Sequence, residues 1–323
     1  MGYLIGTDEA GYGPNLGPLV ISATVWQVPP GVRPGDLYEC LASVVSPRPL
    51  KGDEARNGRL VLADSKVLYR PGEGLRGLER GVWAALCQLD QWPESWSDVW
   101  QAMAPDATRA MALLPWYAEY DTRVPVDGNR RELRKLGEAF DRGLASADVW
   151  LTDMVSRAVF PAEFNDLVER YESKGAALSH LTLDLITRVM EPLGEGPISI
   201  VCDKHGGRDH YAPLLSEHFP DRVIEIRGEG REQSVYRFGP HERRVDVRFC
   251  VGAESYLPVA LASMASKYLR ELAMLAFNEY WCDRVAGLAP TAGYPQDAKR
   301  FMEAIAPMQR ELGIDDRFVW RNK

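Results

Sequence analysis

Apolar and β-branched residues run together at 3–8 and again at 18–27, and the stretch between them, Ala10 to Pro18, is built of turn formers. That pattern predicts two strands joined by a loop rich in glycine and proline. A Pro/Gly-rich stretch near 29–35 precedes a short predicted helix at 36–46. Leu75, Leu78, Val82, Leu86 and Leu89 lay one apolar stripe along a helix over 75–91. Helical pieces and a loop at 124–130 fill 95–145, which reads as a mainly helical insertion. Alternation predicts a strand at 147–159, then helices at 161–171 and 175–192. Residues 197–203 are a short apolar run ending in Asp203, the way a buried strand delivers a carboxylate at its C-terminal edge. A helix near 208–217, a strand at 222–227, a hairpin from 234–238 and 244–250, and helices over 255–283 and 296–312 complete the chain. The expectation is an α/β fold, a mixed sheet with helices on its faces. One domain is expected over 1–283, with a helical C-terminal extension over 284–323 packed on it.

Composition narrows this picture. The 323 residues, 46% of them hydrophobic, suffice for a large core, and the 26% charged content is that of an ordinary folded protein. No apolar run approaches 18 residues, so no membrane association is expected. The N-terminus shows no leader pattern. The five cysteines are scattered and form no Cys-x-x-Cys pair, so neither zinc nor disulfides are expected, and a monomer in a reducing cytoplasm is. The net charge of −8 counts against a broad nucleic-acid-binding face. It leaves room for a local basic groove beside an acidic centre whose carboxylates are offset by divalent cations.

The candidate chemistry lies in carboxylates at element ends. Asp8 and Glu9 close the first apolar run, Asp203 closes another, and Glu254 stands where the long helix begins. Adjacent acids on a strand point to opposite sides, but a strand ending at a glycine-rich loop can bend both into one site. Each acid also has a plain structural role available, a turn or a helix cap; Glu254 would stabilise a helix start by ~0.3–1 kcal/mol. Acids from different elements make chemical sense together if they share hard cations such as Mg²⁺ or Mn²⁺, which take oxygen ligands. Two such ions ~3.5–4 Å apart serve phosphodiester hydrolysis.

The segment Gly6-Thr7-Asp8-Glu9-Ala10-Gly11-Tyr12-Gly13-Pro14, followed by Gly17-Pro18-Leu19-Val20, resembles the opening of the type-2 ribonuclease H family, ribonucleases HII and HIII. Further landmarks resemble the family in order: Ala63-Asp64-Ser65-Lys66-Val67-Leu68, Phe160 to Asn165, Asp203, Gly252-Ala253-Glu254-Ser255 with Val259 to Lys267, Gly293-Tyr294-Pro295, and Arg317 to Trp320. The resemblance implies a ribonuclease-H-like fold and a Mg²⁺- or Mn²⁺-dependent endonuclease acting on RNA in RNA–DNA hybrids. It implies Asp8, Glu9, Asp203 and Glu254 as catalytic, metal-binding acids. An ungapped match to the HII helix puts Ala253 at the fourth position; a match to the HIII branch puts Glu254 there, and alanine cannot bind metal. The loop Gly11-Tyr12-Gly13 would meet the substrate backbone.

Tyr12 stands where the HII branch has arginine, which removes a charge and a fork of donors. It can stack or simply pack. After Asp203 comes Lys204-His205-Gly206-Gly207-Arg208. Lys204, His205 and Arg208 beside two glycines could receive a phosphate, and His205 could move protons; a solvated strand-to-helix turn explains them equally. Lys66 reads as a phosphate contact or an ion pair with Asp64, and Tyr294 as a stacking residue or a packed turn tyrosine. The alternatives to a hybrid-cutting enzyme are a relative that binds nucleic acid without cutting it, and a nuclease of the same fold with another substrate.

Overall fold

The computed structural model describes residues 1–50, 58–70 and 72–322. The strands are β1 (Gly2–Ala10), β2 (Leu19–Val28), β3 (Val45–Ser46), β4 (Leu60–Val61), β5 (Trp150–Val159), β6 (Ile198–Asp203), β7 (Glu225–Gly228), β8 (Gln233–Phe238) and β9 (Val245–Cys250). The helices are α1 (Leu37–Cys40), α2 (Ser65–Leu68), α3 (Arg76–Gln88), α4 (Trp96–Met103), α5 (Ala107–Met111), α6 (Pro115–Ala118) and α7 (Arg130–Ser146). They continue with α8 (Pro161–Tyr171), α9 (Lys174–Met190), α10 (Ala212–His218), α11 (Leu257–Arg284) and α12 (Pro295–Glu311).

Seven strands form one mixed sheet in the order β5-β2-β1-β6-β9-β8-β7. β1 pairs antiparallel with β2 and parallel with β6, and β6 runs parallel to β9. This is the mixed sheet with helices on its faces expected from the sequence. One face packs on α11, whose Leu257, Leu261, Met264, Ala265, Tyr268 and Leu272 join the larger core. The other face packs on α9 and α10 through Leu178, Leu185, Ile186 and Leu215.

β1 is buried from both sides, which explains its run of apolar residues and its glycine. A Cβ on Gly6 would sit 2.2 Å from the Pro258 carbonyl carbon and 2.3 Å from the Val259 nitrogen, so the first turn of α11 rests directly on the β1 main chain. Thr24 Oγ1 donates to Pro258 O at 2.7 Å and fixes the same turn to β2.

Residues 95–145 are helical, and they are built into the core. Trp96 Nε1 donates to Leu272 O of α11 at 3.0 Å, and the Trp116 ring meets Phe277 edge-on at 5.5 Å. α12 packs back on α11 through Phe301 and Phe277, 5.5 Å apart. The helix expected at 36–46 is shorter: the chain leaves α1 at Leu41 because Val45–Ser46 pairs with Leu60–Val61 as a small parallel ladder. The long helix starts at Leu257, and Glu254 lies in a separate 3₁₀ turn, Ala253–Ser255.

Candidate active site

Strand alternation and sheet register assemble the acids. β1 and β6 run parallel with Thr7 opposite Cys202, so the next residues, Asp8 and Asp203, emerge side by side at the C-terminal ends of two adjacent central strands. β9 pairs Cys250 with Asp203, and the turn that follows carries Glu254 back over the same edge. One carboxylate oxygen from each of Asp8, Asp203 and Glu254 lies within 4.8 Å of the others. The Ala253 N–H donates to Asp203 Oδ1 at 3.4 Å while its side chain is buried, so of the two neighbours it is Glu254 that joins the group.

Glu9 is not one of the three. It follows Asp8 on β1, which stays extended to Ala10, and the charges it meets are those of Asp203, Lys66 and Glu254. It remains within electrostatic reach. Burial, then the charge of Asp203, pushes Glu9 up to about 7, with Lys66 opposing. Burial and Glu9 raise Asp8 well above the ordinary carboxylate range; the hydrogen bond from Ser263 opposes this, and Glu254 and Asp203 add to it. Asp203 is raised by burial and by Glu254. Clustered oxygen donors held at such cost are a chemically suitable set for a hard divalent cation, which would reverse each of these effects.

Around the acids lies a 630 Å³ cleft lined by Lys66, Asp203, Lys204, Gly207, Arg231 and Glu254, among others. Lys66 Nζ is 3.2 Å from Glu254 Oε1 and 4.0 Å from Asp64, on a side chain 80% exposed and able to swing away. Lys204 lines the cleft, but its ammonium is committed to Asp209 Oδ1 at 2.5 Å and Gly230 O at 2.6 Å. His205 is buried, with Nδ1 3.1 Å from Ser179 Oγ. Burial holds it down to about 3, so it is neutral near pH 7 and poorly suited to carrying protons there, contrary to one reading of the sequence. A second, 740 Å³ cavity adjoins the cleft through Gly207 and Asp209 and is lined by Tyr12, Lys174, His205 and Arg208.

Tyr12 faces that second cavity: the Lys174 ammonium stands 5.2 Å from its ring centre, and its hydroxyl lies against Gly206 and Gly175. Gly11 has φ +93°, and a Cβ there would meet Pro18 O at 2.5 Å, so glycine is required. Gly13 is exposed, with the ring of Tyr294 beside it, and Tyr294 is itself 57% exposed.

Sequence reading missed the groups that hold this site from behind. Ser266 Oγ donates to Asp8 O at 2.9 Å and lies 2.8 Å from Ser22 Oγ, from which it accepts, and Ser22 meets Ser156 at 2.7 Å. Two serines three residues apart on an apolar helix were the available signal for Ser263 and Ser266. Nothing in the local sequence marked Arg270 or Arg321, both buried, as partners of the 11–18 loop.

The chain is similar to several solved ribonucleases HII and HIII. One is the PCNA:ribonuclease HII complex from Archaeoglobus fulgidus, with TM-score 0.42 and 14% identity over 99% of this chain and 94% of that chain. Another is ribonuclease H2 from Pyrococcus horikoshii, with TM-score 0.41 and 16% identity over 98% and 92%. A third is Bst ribonuclease HIII in complex with Mn²⁺, with TM-score 0.43 and 16% identity over 99% of this chain and 65% of that chain. No protein-family model and no curated protein matches the chain.

Proposed function

We propose that the protein is a divalent-metal-dependent endonuclease that hydrolyses the RNA of RNA–DNA hybrids. The observation that carries this reading is the convergence of Asp8, Asp203 and Glu254 within 4.8 Å at the ends of three elements. The ordered family landmarks along the sequence support the choice of substrate.

In this reading Asp8, Asp203 and Glu254, with Glu9 beside them, would hold Mg²⁺ or Mn²⁺. Bound there, such ions supply Lewis-acid stabilisation of the phosphoryl oxygens and a water of lowered pKa. The chain's own contributions are distinct. Gly11 and Gly13 let the substrate backbone approach the main chain, and Tyr294 offers an exposed ring beside them. Lys66 releases Glu254 and meets a phosphate instead. Arg208 lines the path into the second cavity. With Tyr12 turned to Lys174, the loop offers no side-chain cation to a substrate sugar. Cutting at a run of ribonucleotides, rather than at a single embedded one, is the preference this favours. The reading includes a monomeric, cytoplasmic enzyme.

Cleavage of a labelled RNA–DNA hybrid and of a duplex with one ribonucleotide, each with Mg²⁺ or Mn²⁺, tests this. Wild type should cut the hybrid, and Asp8→Asn should lower the rate more than a hundredfold while remaining folded. Failure of wild type on both substrates overturns the reading. Full activity of Asp8→Asn removes that residue from the metal set.

A further inference from the structure

The 11–18 loop is clasped from inside the protein by two guanidinium groups. Arg321 Nη2 donates to Gly11 O and Pro14 O. Arg270 Nη1 donates to Pro18 O at 3.1 Å, and its Nη2 donates to Leu16 O at 3.3 Å and Ala292 O at 3.0 Å. Arg321 is 1% exposed and Arg270 3%. The segment carrying Arg321 is itself paired to the loop: Leu16 bridges Trp320, Arg321 N donates to Asn15 O at 2.8 Å, and Asn15 Nδ2 returns a bond to Arg321 O at 2.8 Å.

This is a costly way to cap carbonyls. The charge acting on Arg321 is that of Arg270, of the same sign. Its Nε and Nη1 are buried without an acceptor among the described residues, and its guanidinium lies over the Phe164 ring at 4.7 Å. A buried cation with unpaired donors and a like-charged neighbour works against stability. A neutral amide, as at Asn15, would bond carbonyls without that cost.

The geometry explains what the charge accomplishes. A trans peptide holds its C=O and N–H antiparallel. With Gly11 O drawn inward to Arg321, the N–H of the same peptide, that of Tyr12, points outward. It has no acceptor among the described residues, and both Gly11 and Tyr12 reach the surface. A carbonyl bonded to a cation also polarises its peptide and strengthens the opposite N–H as a donor.

Building on the nuclease reading, we propose that Arg321, assisted by Arg270, is a positioning residue that aims and polarises the Tyr12 main-chain N–H as a donor to the substrate backbone. The cation missing from the loop at position 12 is thereby replaced from beneath it, by a segment 310 residues away in sequence.

The test uses the full chain, a fluorescent RNA–DNA hybrid, and Arg321→Met and Arg321→Lys. Losing one strong donor to an anionic substrate should raise KM and the hybrid Kd by roughly ten- to a hundredfold in Arg321→Met. kcat should change less than threefold, and Arg321→Lys should recover part of the loss. A purely structural role would instead lower the unfolding temperature and the active fraction, reducing kcat at constant KM, and would overturn the proposal. Hydrogen exchange on wild type covers the case in which neither variant folds. The Tyr12 amide should exchange freely in the free protein and slow at least tenfold with hybrid bound. An unchanged rate at saturating hybrid overturns the proposal while leaving the nuclease reading intact. Wild type that neither binds nor cuts hybrid overturns both.

Discussion

Asp203→Asn removes one negative charge from the acid cluster and leaves an oxygen for the Ala253 N–H. At the 4.8 Å that bounds the oxygen separations, two unit charges repel by roughly 3.5 kcal/mol at an effective dielectric of ~20. Asp203 has two such neighbours, but Lys66 partly offsets them, and screening by solvent at the cleft reduces the repulsion further. About 1–3 kcal/mol of relief is expected. The variant should therefore be more stable than wild type in EDTA. With Mg²⁺ the order shifts. Wild type gains ~1.4 kcal/mol at ten times Kd from ligand linkage, and the variant gains little. Urea unfolding followed by the fluorescence of the nine tryptophans, with EDTA and with Mg²⁺, measures both effects. A variant less stable than wild type in EDTA, with an undiminished Mg²⁺ increment, would refute the cluster as a charge-stressed cation site.

Other consequences are equally direct. Gly6→Ala places a methyl within 2.3 Å of α11 main-chain atoms, and it should cost ~1–3 kcal/mol or more in urea unfolding. Trp116→Ala should cost ~3–5 kcal/mol, because its ring packs on Phe277 and Trp281; a loss under 1 kcal/mol would show that 95–145 is a detachable unit. Burial holds His218 below the ordinary histidine value, against the pull of Asp184 and with that of His180. Its neutral form is favoured in the folded state, so that stability is present above pH ~6.5 and is lost as pH falls toward the depressed value. Between pH 7 and 5 wild type should lose more stability than His218→Gln, by at most ~1.4 kcal/mol per pH unit; equal losses would remove His218 from the acid response.

Much of this was legible along the chain because its causes are local. The apolar run ending at Asp8, the run ending at Asp203 and the stripe through Leu78, Val82 and Leu86 each state a burial pattern within a few residues. Where β1 ends was less legible, because the end of a strand depends on partners: β1 continues to Ala10, where Val20 pairs with it. Lys204 and His205 line the two cavities as their position suggested, and what the sequence hid is what holds them: Asp209 and Gly230 bind the first, and Ser179 and Tyr211 pack on the second. Arg270 and Arg321 were invisible for a different reason. Their partners are carbonyls, which every residue has, so no side-chain pattern announces them.

The bare contact between Gly6 and the first turn of α11 has a further meaning for metal choice. Asp8 rides two residues beyond Gly6, and Glu254 sits just before the helix that rests on it. Two main chains in touch therefore help to set their spacing. For the proposed cation site, a larger ion such as Ca²⁺, which prefers longer bonds and more ligands, would press on the place where the two main chains touch at residue 6, so a gap left by a missing side chain would bear on which ion fits.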